Sequence, residues 1–257
     1  MSLVLEADGV TVRFGGLVAV DAVTLRLHRG ERRAIIGPNG AGKTTFFNLI
    51  GGQIRPTSGE IRLFGEPVTT KSPRNRAELG LVRTFQATAL FSSMTVAENI
   101  ILSLQALDPR KYVVYRPVLA YRDLMARVEE IVAKWSLSKW REAPVAHMSH
   151  GEQRQLEIIL AIESSPRLLL LDEPTAGLAP AETQAVTELI GALDRSVTIL
   201  LIEHDMDVAF RIAESFTVFH QGRIVVEGSP DEIRRDPRVA ELYFGINEAP
   251  SAVDSRA

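Results

Sequence analysis

An α/β fold is predicted, with a mixed, mainly parallel sheet, an antiparallel β subdomain before it and a helical lobe inserted into it. Three observations predict it. Gly37-Pro38-Asn39-Gly40-Ala41-Gly42-Lys43-Thr44-Thr45 is a glycine-rich turn between a strand-like run, Arg33 through Ile36, and a helix-like run that begins near Thr44. Two continuous apolar runs, Leu168 through Leu171 and Val197 through Ile202, each end in acidic residues, the pattern of parallel strands buried on both faces. Between them Val186, Leu189, Ile190 and Leu193 trace a helix that Pro180 can begin, so the order is β-α-β.

The 257 residues are 46% hydrophobic, ample for a sizeable core, and disorder is not the default. The formal net charge of −3 carries no overall basic field of the kind that draws nucleic acid or an anionic membrane. Cysteine is absent, which excludes disulfides, thiolate metal sites and a catalytic thiol and suits a reducing compartment. The first residues lack a basic, then apolar, leader, and no stretch approaches the roughly 18 apolar residues of a membrane span. The expectation is a cytoplasmic chain, one domain over residues 1–246 with its helical lobe at about 87–165, followed by a mobile tail over 247–257.

Val10 through Phe14 and Ala22 through Leu27 alternate with period two around Gly15-Gly16 and read as antiparallel strands. After the glycine-rich turn, a short helix carrying Phe46, Phe47 and Ile50 stops at Gly51-Gly52. Glu60 through Phe64 and Leu79 through Phe85 read as further strands, the second ending at Gln86. From Ile100 to Trp140 the period becomes helical, with Leu124, Val128, Ile131, Val132 and Trp135 recurring on one face. The lobe's entry, Asp108 through Tyr121, reads as irregular surface. Phe216 through Phe219 and Arg223 through Val226 flank Gln221-Gly222 as a hairpin, and Ser229-Pro230-Asp231-Glu232 caps a last helix.

The glycine-rich turn fits the P-loop pattern G-x-x-x-x-G-K-[ST]. There backbone N–H groups wrap phosphates, Lys43 reaches the β and γ oxygens, and the Thr44 hydroxyl holds Mg²⁺. Gly37, Gly40 and Gly42 let the backbone turn with positive φ and approach the anion, toward which the following helix aims its N-terminus. A glycine-rich turn with a chance lysine is the plainer alternative. Gln86, Asp172-Glu173 and His204 fall at strand ends as the P-loop does, where ligands bind in open α/β sheets. Asp172 stands where a metal-holding aspartate is needed, Glu173 where a carboxylate can orient and deprotonate water, and His204 where an imidazole can sense a γ-phosphate. Gln86 can complete the Mg²⁺ or water shell through its amide oxygen. Ser149 and Glu152, three apart before the stripe of Leu156, Ile159 and Leu160, form a capping box whatever else they do.

In this order and spacing, the P-loop, Gln86, Ser149-His150-Gly151-Glu152-Gln153, Leu171-Asp172-Glu173-Pro174 and His204 resemble an ABC-type ATPase subunit over Leu3 through Gly245. The resemblance implies a P-loop NTPase core binding ATP and Mg²⁺, with Lys43, Glu173 and His204 catalytic and Thr44, Gln86 and Asp172 at the metal. It further implies that ATP lies between two head-to-tail subunits. The P-loop of one (Gly37, Pro38, Asn39, Gly40, Ala41, Gly42, Lys43, Thr44, Thr45) then faces the signature helix of the other (Ser149, Gly151, Glu152). Met148, His150 and Glu152 depart from the family's usual Leu-Ser-Gly-Gly-Gln, while Ser149 and Gly151 remain. An aromatic that stacks on adenine maps to Phe14, for which core packing is the other reading.

Arg83-Thr84-Phe85-Gln86, Met94-Thr95-Val96-Ala97-Glu98-Asn99 and Pro174-Thr175-Ala176-Gly177-Leu178-Ala179-Pro180 look like importer subunits for branched-chain amino acids or urea-type amides. The implied partners are a second cassette, identical or related, and polytopic permease subunits on the inner face of the plasma membrane, with no nucleic acid. The alternative is a soluble ATPase of the same type acting on ribosomes, nucleic acid or protein.

Overall fold

The computed structural model of the chain describes residues 2–84, 90–106, 108 and 121–244. Among the described residues the strands are β1 (Leu3–Phe14), β2 (Leu17–His28), β3 (Arg32–Ile36), β4 (Ser58–Leu63), β5 (Glu66–Pro67), β6 (Leu81–Arg83), β7 (Leu168–Asp172), β8 (Thr198–Ile202), β9 (Ser215–His220) and β10 (Arg223–Gly228). The helices are α1 (Lys43–Gly51), α2 (Pro73–Glu78), α3 (Val96–Gln105), α4 (Arg122–Lys134), α5 (His150–Glu163), α6 (Pro180–Gly191), α7 (Met206–Ile212), α8 (Pro230–Arg235) and α9 (Pro237–Phe244).

One sheet is antiparallel, in the order β2-β1-β4-β5, and its first two strands form the hairpin expected around Gly15-Gly16. The other has the order β10-β9-β3-β8-β7-β6 and is parallel except for the β9-β10 hairpin at one edge. That hairpin closes through Gln221 at φ 47° and Gly222 at φ 78°, two positive values in succession that match the right-handed twist of the strands. All ten residues of β7 and β8 are buried. Successive side chains go to opposite faces, so Leu168 and Leu170 join the layer under the antiparallel sheet and α1, whereas Leu169 and Leu171 join the layer under α5, α6 and α7.

The helical lobe has a core of its own, built by Ile100, Leu124, Val128, Ile131, Leu156 and Ile159 from α3, α4 and α5. Helix α5 serves two cores, since Leu156 and Ile159 face the lobe while Ile158 and Ala161 face the sheet. Its last residue, Glu163, is buried and accepts hydrogen bonds from Lys134 Nζ at 2.7 Å, Trp135 Nε1 at 2.7 Å and Arg127 Nη2 at 2.6 Å. Burial alone would raise this carboxyl, but the bonds from Lys134 and Trp135 and the nearby charges outweigh it and hold it below the usual value.

One element differs from expectation and one is additional to it. The strand read over Leu79 through Phe85 is only Leu81–Arg83, because Leu79 caps the C-terminus of α2 and Gly80 turns with φ 102°. Residues 85–89 lie outside the described residues, as do most of the lobe's irregular entry and the tail over 247–257. Helix α2 occupies a stretch that the sequence reading leaves unassigned, with Ser72 accepting from Asn75 N–H and Pro73 in the first turn. It carries Arg76, which is wholly buried. The Arg76 guanidinium donates to the carbonyls of Leu49, Ile50, Val68 and Lys71, closing the C-terminus of α1, and burial pushes its pKa down to about 10.

Replacing Arg76 by alanine leaves several buried carbonyls unpaired and is expected to lower unfolding free energy by about 3 kcal/mol in urea titrations. Glu163→Gln is expected to remove about 2 kcal/mol at neutral pH. The native carboxyl lies below its unfolded value of 4.5, so this contribution is present above that pH and is lost as pH falls through the native pKa. Wild type and Glu163→Gln should therefore converge in stability as pH drops below 4.5; a constant gap would contradict the assignment.

Candidate nucleotide site

Strand order brings the chemistry together. Strands β3, β8 and β7 are neighbours, and their C-terminal ends carry the P-loop, His204 and Asp172-Glu173 respectively. Along β7 and β8 the sequence leaves charge only there, since everything in these two strands before the last residue is apolar or, at Thr198, a buried hydroxyl.

The P-loop packs against backbone on both sides. A Cβ on Gly37, at φ 146°, would lie 2.1 Å from the Phe219 carbonyl oxygen, and one on Gly42, at φ 100°, would lie 2.4 Å from that of Ala19. Both glycines are therefore demanded by close approach as well as by conformation. Gly40 also has positive φ but faces open space. Gly42 is the N-cap of α1 and offers no side-chain bond to the helix's first N–H groups, which leaves them for a ligand. Lys43 is buried and donates to the Gly37 and Pro38 carbonyls at 2.6 and 2.9 Å. Burial pushes its ammonium down, against the opposing pull of Glu173 and Asp172.

A cavity of about 510 Å³ opens in front of this loop, lined by Asn39 through Thr45, Glu173, His204, Gln221 and Phe14, among others. Phe14 is 53% exposed at the end of β1, which removes the core-packing reading. Glu173 has φ 48°, a left-handed backbone uncommon for a residue with a side chain, and its Oε1 accepts from His204 Nε2 at 2.6 Å. Asp172 is 2% exposed; its Oδ2 accepts from Arg83 Nη2 at 2.8 Å, and its Oδ1 is buried without a hydrogen-bond partner among the described residues. Burial raises its carboxyl, with Arg83 opposing. Gln86 lies outside the described residues.

Ser149, Gly151 and Glu152 are not among the residues that line this cavity. The capping box is formed: Ser149 Oγ accepts from Glu152 N–H, and Glu152 accepts from Ser149 N–H. The Glu152 carboxylate also accepts from Lys139 Nζ and Trp140 Nε1, turned into the lobe. The other face of the signature turn meets Glu182, whose carboxylate accepts from Ser149 Oγ and Gly151 N–H.

Three residues that hold the site escaped the motif reading. Arg154 is buried and donates to the carbonyls of Asp172, Glu173 and Pro174, so the signature helix grips the acidic turn directly. Its signal was present, since Arg154, Ile158 and Ala161 share the face of α5 that meets the sheet. Buried Glu203 accepts from Thr175 Oγ and N–H and from His204 N–H, joining the turns after β7 and β8. Tyr243 on α9 accepts from Gly37 N–H at 2.7 Å, a contact across 206 positions that no local pattern announces.

A family profile described as "ABC transporter" matches residues 20–176, and one described as "Branched-chain amino acid ATP-binding cassette transporter" matches residues 223–249. The high-affinity branched-chain amino acid transport ATP-binding protein BraF of Pseudomonas aeruginosa is 39% identical over 249 residues, covering 94% of this chain and 98% of that protein. LivG of Escherichia coli, named in the same way, is 38% identical over 248 residues, covering 94% and 97%. Among solved structures, the ADP conformation of an ATP-binding cassette of an ABC transporter superposes with a TM-score of 0.78 at 28% identity, covering 96% of this chain and all of that one. The chain belongs to the ABC transporter family, as an ATP-binding and ATP-hydrolysing subunit.

Proposed function

We propose that the P-loop cavity is half of a Mg·ATP site, completed head to tail by Ser149 and Gly151 of a second cassette, and that the pair powers a membrane importer. The observation that carries this reading is a separation. The P-loop, Glu173, His204 and Phe14 share one cavity, while the signature turn stands outside it with its N–H groups directed elsewhere. A second subunit supplies what this cavity lacks.

In this account the backbone N–H groups from Gly40 to Thr45 surround the phosphates, and Lys43 leaves the Gly37 and Pro38 carbonyls to reach the β and γ oxygens. Phe14 stacks on adenine at the cavity mouth. Glu173 takes a proton from water as that oxygen bonds to the γ-phosphorus and the bond to the bridging oxygen breaks; His204 orients Glu173 and reaches the γ-phosphate. Its fixed geometry and constrained backbone pre-position the carboxylate. The donors fit Mg²⁺, which takes oxygen ligands and is held by one or two carboxylates plus phosphates. Asp172 Oδ1 is a buried oxygen in want of a partner, and no cluster of three or more acidic, His or Cys ligands occurs among the described residues. Thr44 and Asp172 would hold the ion, with Gln86 as the remaining donor. When bound, Mg²⁺ neutralises charge on the β and γ oxygens.

A second, apolar groove of about 530 Å³ lies where the lobe meets the sheet, lined in part by Leu81, Leu90, Phe91, Leu102 and Leu160. Phe91 is 56% exposed there. No described helix is long and apolar enough to cross a membrane. Such a groove suits a helix presented by a polytopic permease subunit, which would seat this chain on the inner face of the membrane. Residues 1–246 work as one nucleotide-binding domain. The names of the relatives above favour import of branched-chain amino acids over a soluble role on ribosomes or nucleic acid.

Glu173→Gln should lower ATP turnover by at least about 100-fold while ATP still binds; retained turnover would remove Glu173 as the base. In cells lacking this chain, leucine uptake should fall and return with the wild-type chain but not with Glu173→Gln, while urea uptake stays unchanged. Loss of urea uptake alone would reassign the solute.

A further inference from the structure

The signature turn of this chain is not an open anion site. Glu182 sits at N3 of α6, the helix that follows the acidic turn, and reaches across to the N-terminus of α5. Its Oε1 accepts from Ser149 Oγ at 3.0 Å and from Gly151 N–H at 3.2 Å, while its Oε2 accepts from Ala179 N–H at 3.2 Å. The missing side chain of Gly151 makes room for it, since a Cβ there would lie 2.3 Å from the Glu182 carboxyl carbon. These are the donors that the head-to-tail reading assigns to another subunit's γ-phosphate. A carboxylate on the N-terminus of a helix satisfies the same N–H groups and the same dipole as a phosphate oxygen. The hydrogen bonds from Ala179 and Ser149 hold the Glu182 carboxyl below its usual value, so it is anionic near neutral pH.

We propose that Glu182 is a built-in occupant of the signature helix N-terminus, a carboxylate in the same chain that competes with the γ-phosphate of the partner-bound ATP and must withdraw before the sandwich closes. The proposal rests on the head-to-tail reading and adds to it a threshold. Two anions cannot share one set of donors: phosphate arriving at Ser149 and Gly151 meets both occupied hydrogen-bond donors and a like charge. ADP, which has no γ-phosphate to contest the site, binds the P-loop of a single chain without disturbing Glu182. Glu182 keeps its bond to Ala179 N–H when it swings away, so withdrawal leaves α6 capped. In the resting chain the same contact ties the signature turn to the segment after Glu173, and its release would be felt at both.

The test uses Glu173→Gln, which retains ATP, as the parent. ATP-driven dimerisation is followed by light scattering across an ATP titration, with and without Glu182→Gln, which keeps the size and an acceptor but removes the charge; Glu182→Ala is a second variant. The midpoint in ATP should fall by about two- to fivefold with Glu182→Gln, the scale of an exposed charge interaction. ADP affinity, measured by calorimetry on the same chains, should not move. A midpoint that is unchanged or raised in both variants would overturn the proposal and make Glu182 a brace of the signature turn. Absence of any ATP-dependent dimer in the parent would instead remove the head-to-tail reading itself, and the proposal with it.

Discussion

Parallel strands buried on both faces can carry no charge along their length, because an ion held there would face several kcal/mol of desolvation without a partner. In this protein β7 and β8 obey that constraint over every residue until the last. Along β7 and β8 charge appears only where the strands stop, and since β3, β8 and β7 are adjacent, three separate stretches of sequence deliver their polar residues to one edge of one sheet. The site follows from the burial pattern. Asp172 belongs to both worlds, at the last position of its strand and 2% exposed, and it is tolerated because Arg83 pairs with one of its oxygens.

Arg154 gives that edge a mechanical connection. It lies just over one turn into α5 from Ser149 and donates to three consecutive carbonyls of the acidic turn. Movement of the signature end of α5 is therefore felt by the backbone that presents Glu173. The opposite end of the same helix is held to the lobe by Glu163, and the middle is shared between two cores. A helix so placed links the packing of the lobe to the backbone that carries Glu173. Tyr243 on α9 accepts from the N–H of the first glycine of the P-loop, so that helix bears on the geometry of the loop too.

Much of this was legible beforehand because it is local. The P-loop glycines, the leucine run before Asp172 and the capping boxes at Ser149 and Ser229 are rules about neighbours in sequence, and the structure contains them. The split into an antiparallel sheet, a parallel core and a helical lobe followed from a change of hydrophobic period, which is local as well. What escaped depends on distant partners. Arg76 reads as one more charged residue until the carbonyls of Leu49 and Val68 surround it, and Tyr243 as one more helical aromatic until Gly37 arrives from 206 positions away. Glu182 reads as a helix-start acid, which it is; its second role depends on where α5 lies. Phe14 could not be assigned to core or surface from its strand, because the end of a long hairpin projects beyond the core it helps to build. Helix α2 carries a local signal, Ser72 as N-cap and Pro73 at the first helical position, in a stretch that the sequence reading leaves unassigned.

The central claim, that each chain carries half of a hydrolytic site, is tested most directly by the ATPase rate per chain of the purified wild-type protein over a wide range of protein concentration. If a second subunit must complete the site, the rate per chain rises with concentration and levels off only where dimers saturate. A rate per chain that is the same at the lowest and highest concentrations, with light scattering showing single chains throughout, would mean that one chain holds a complete site and would contradict the account.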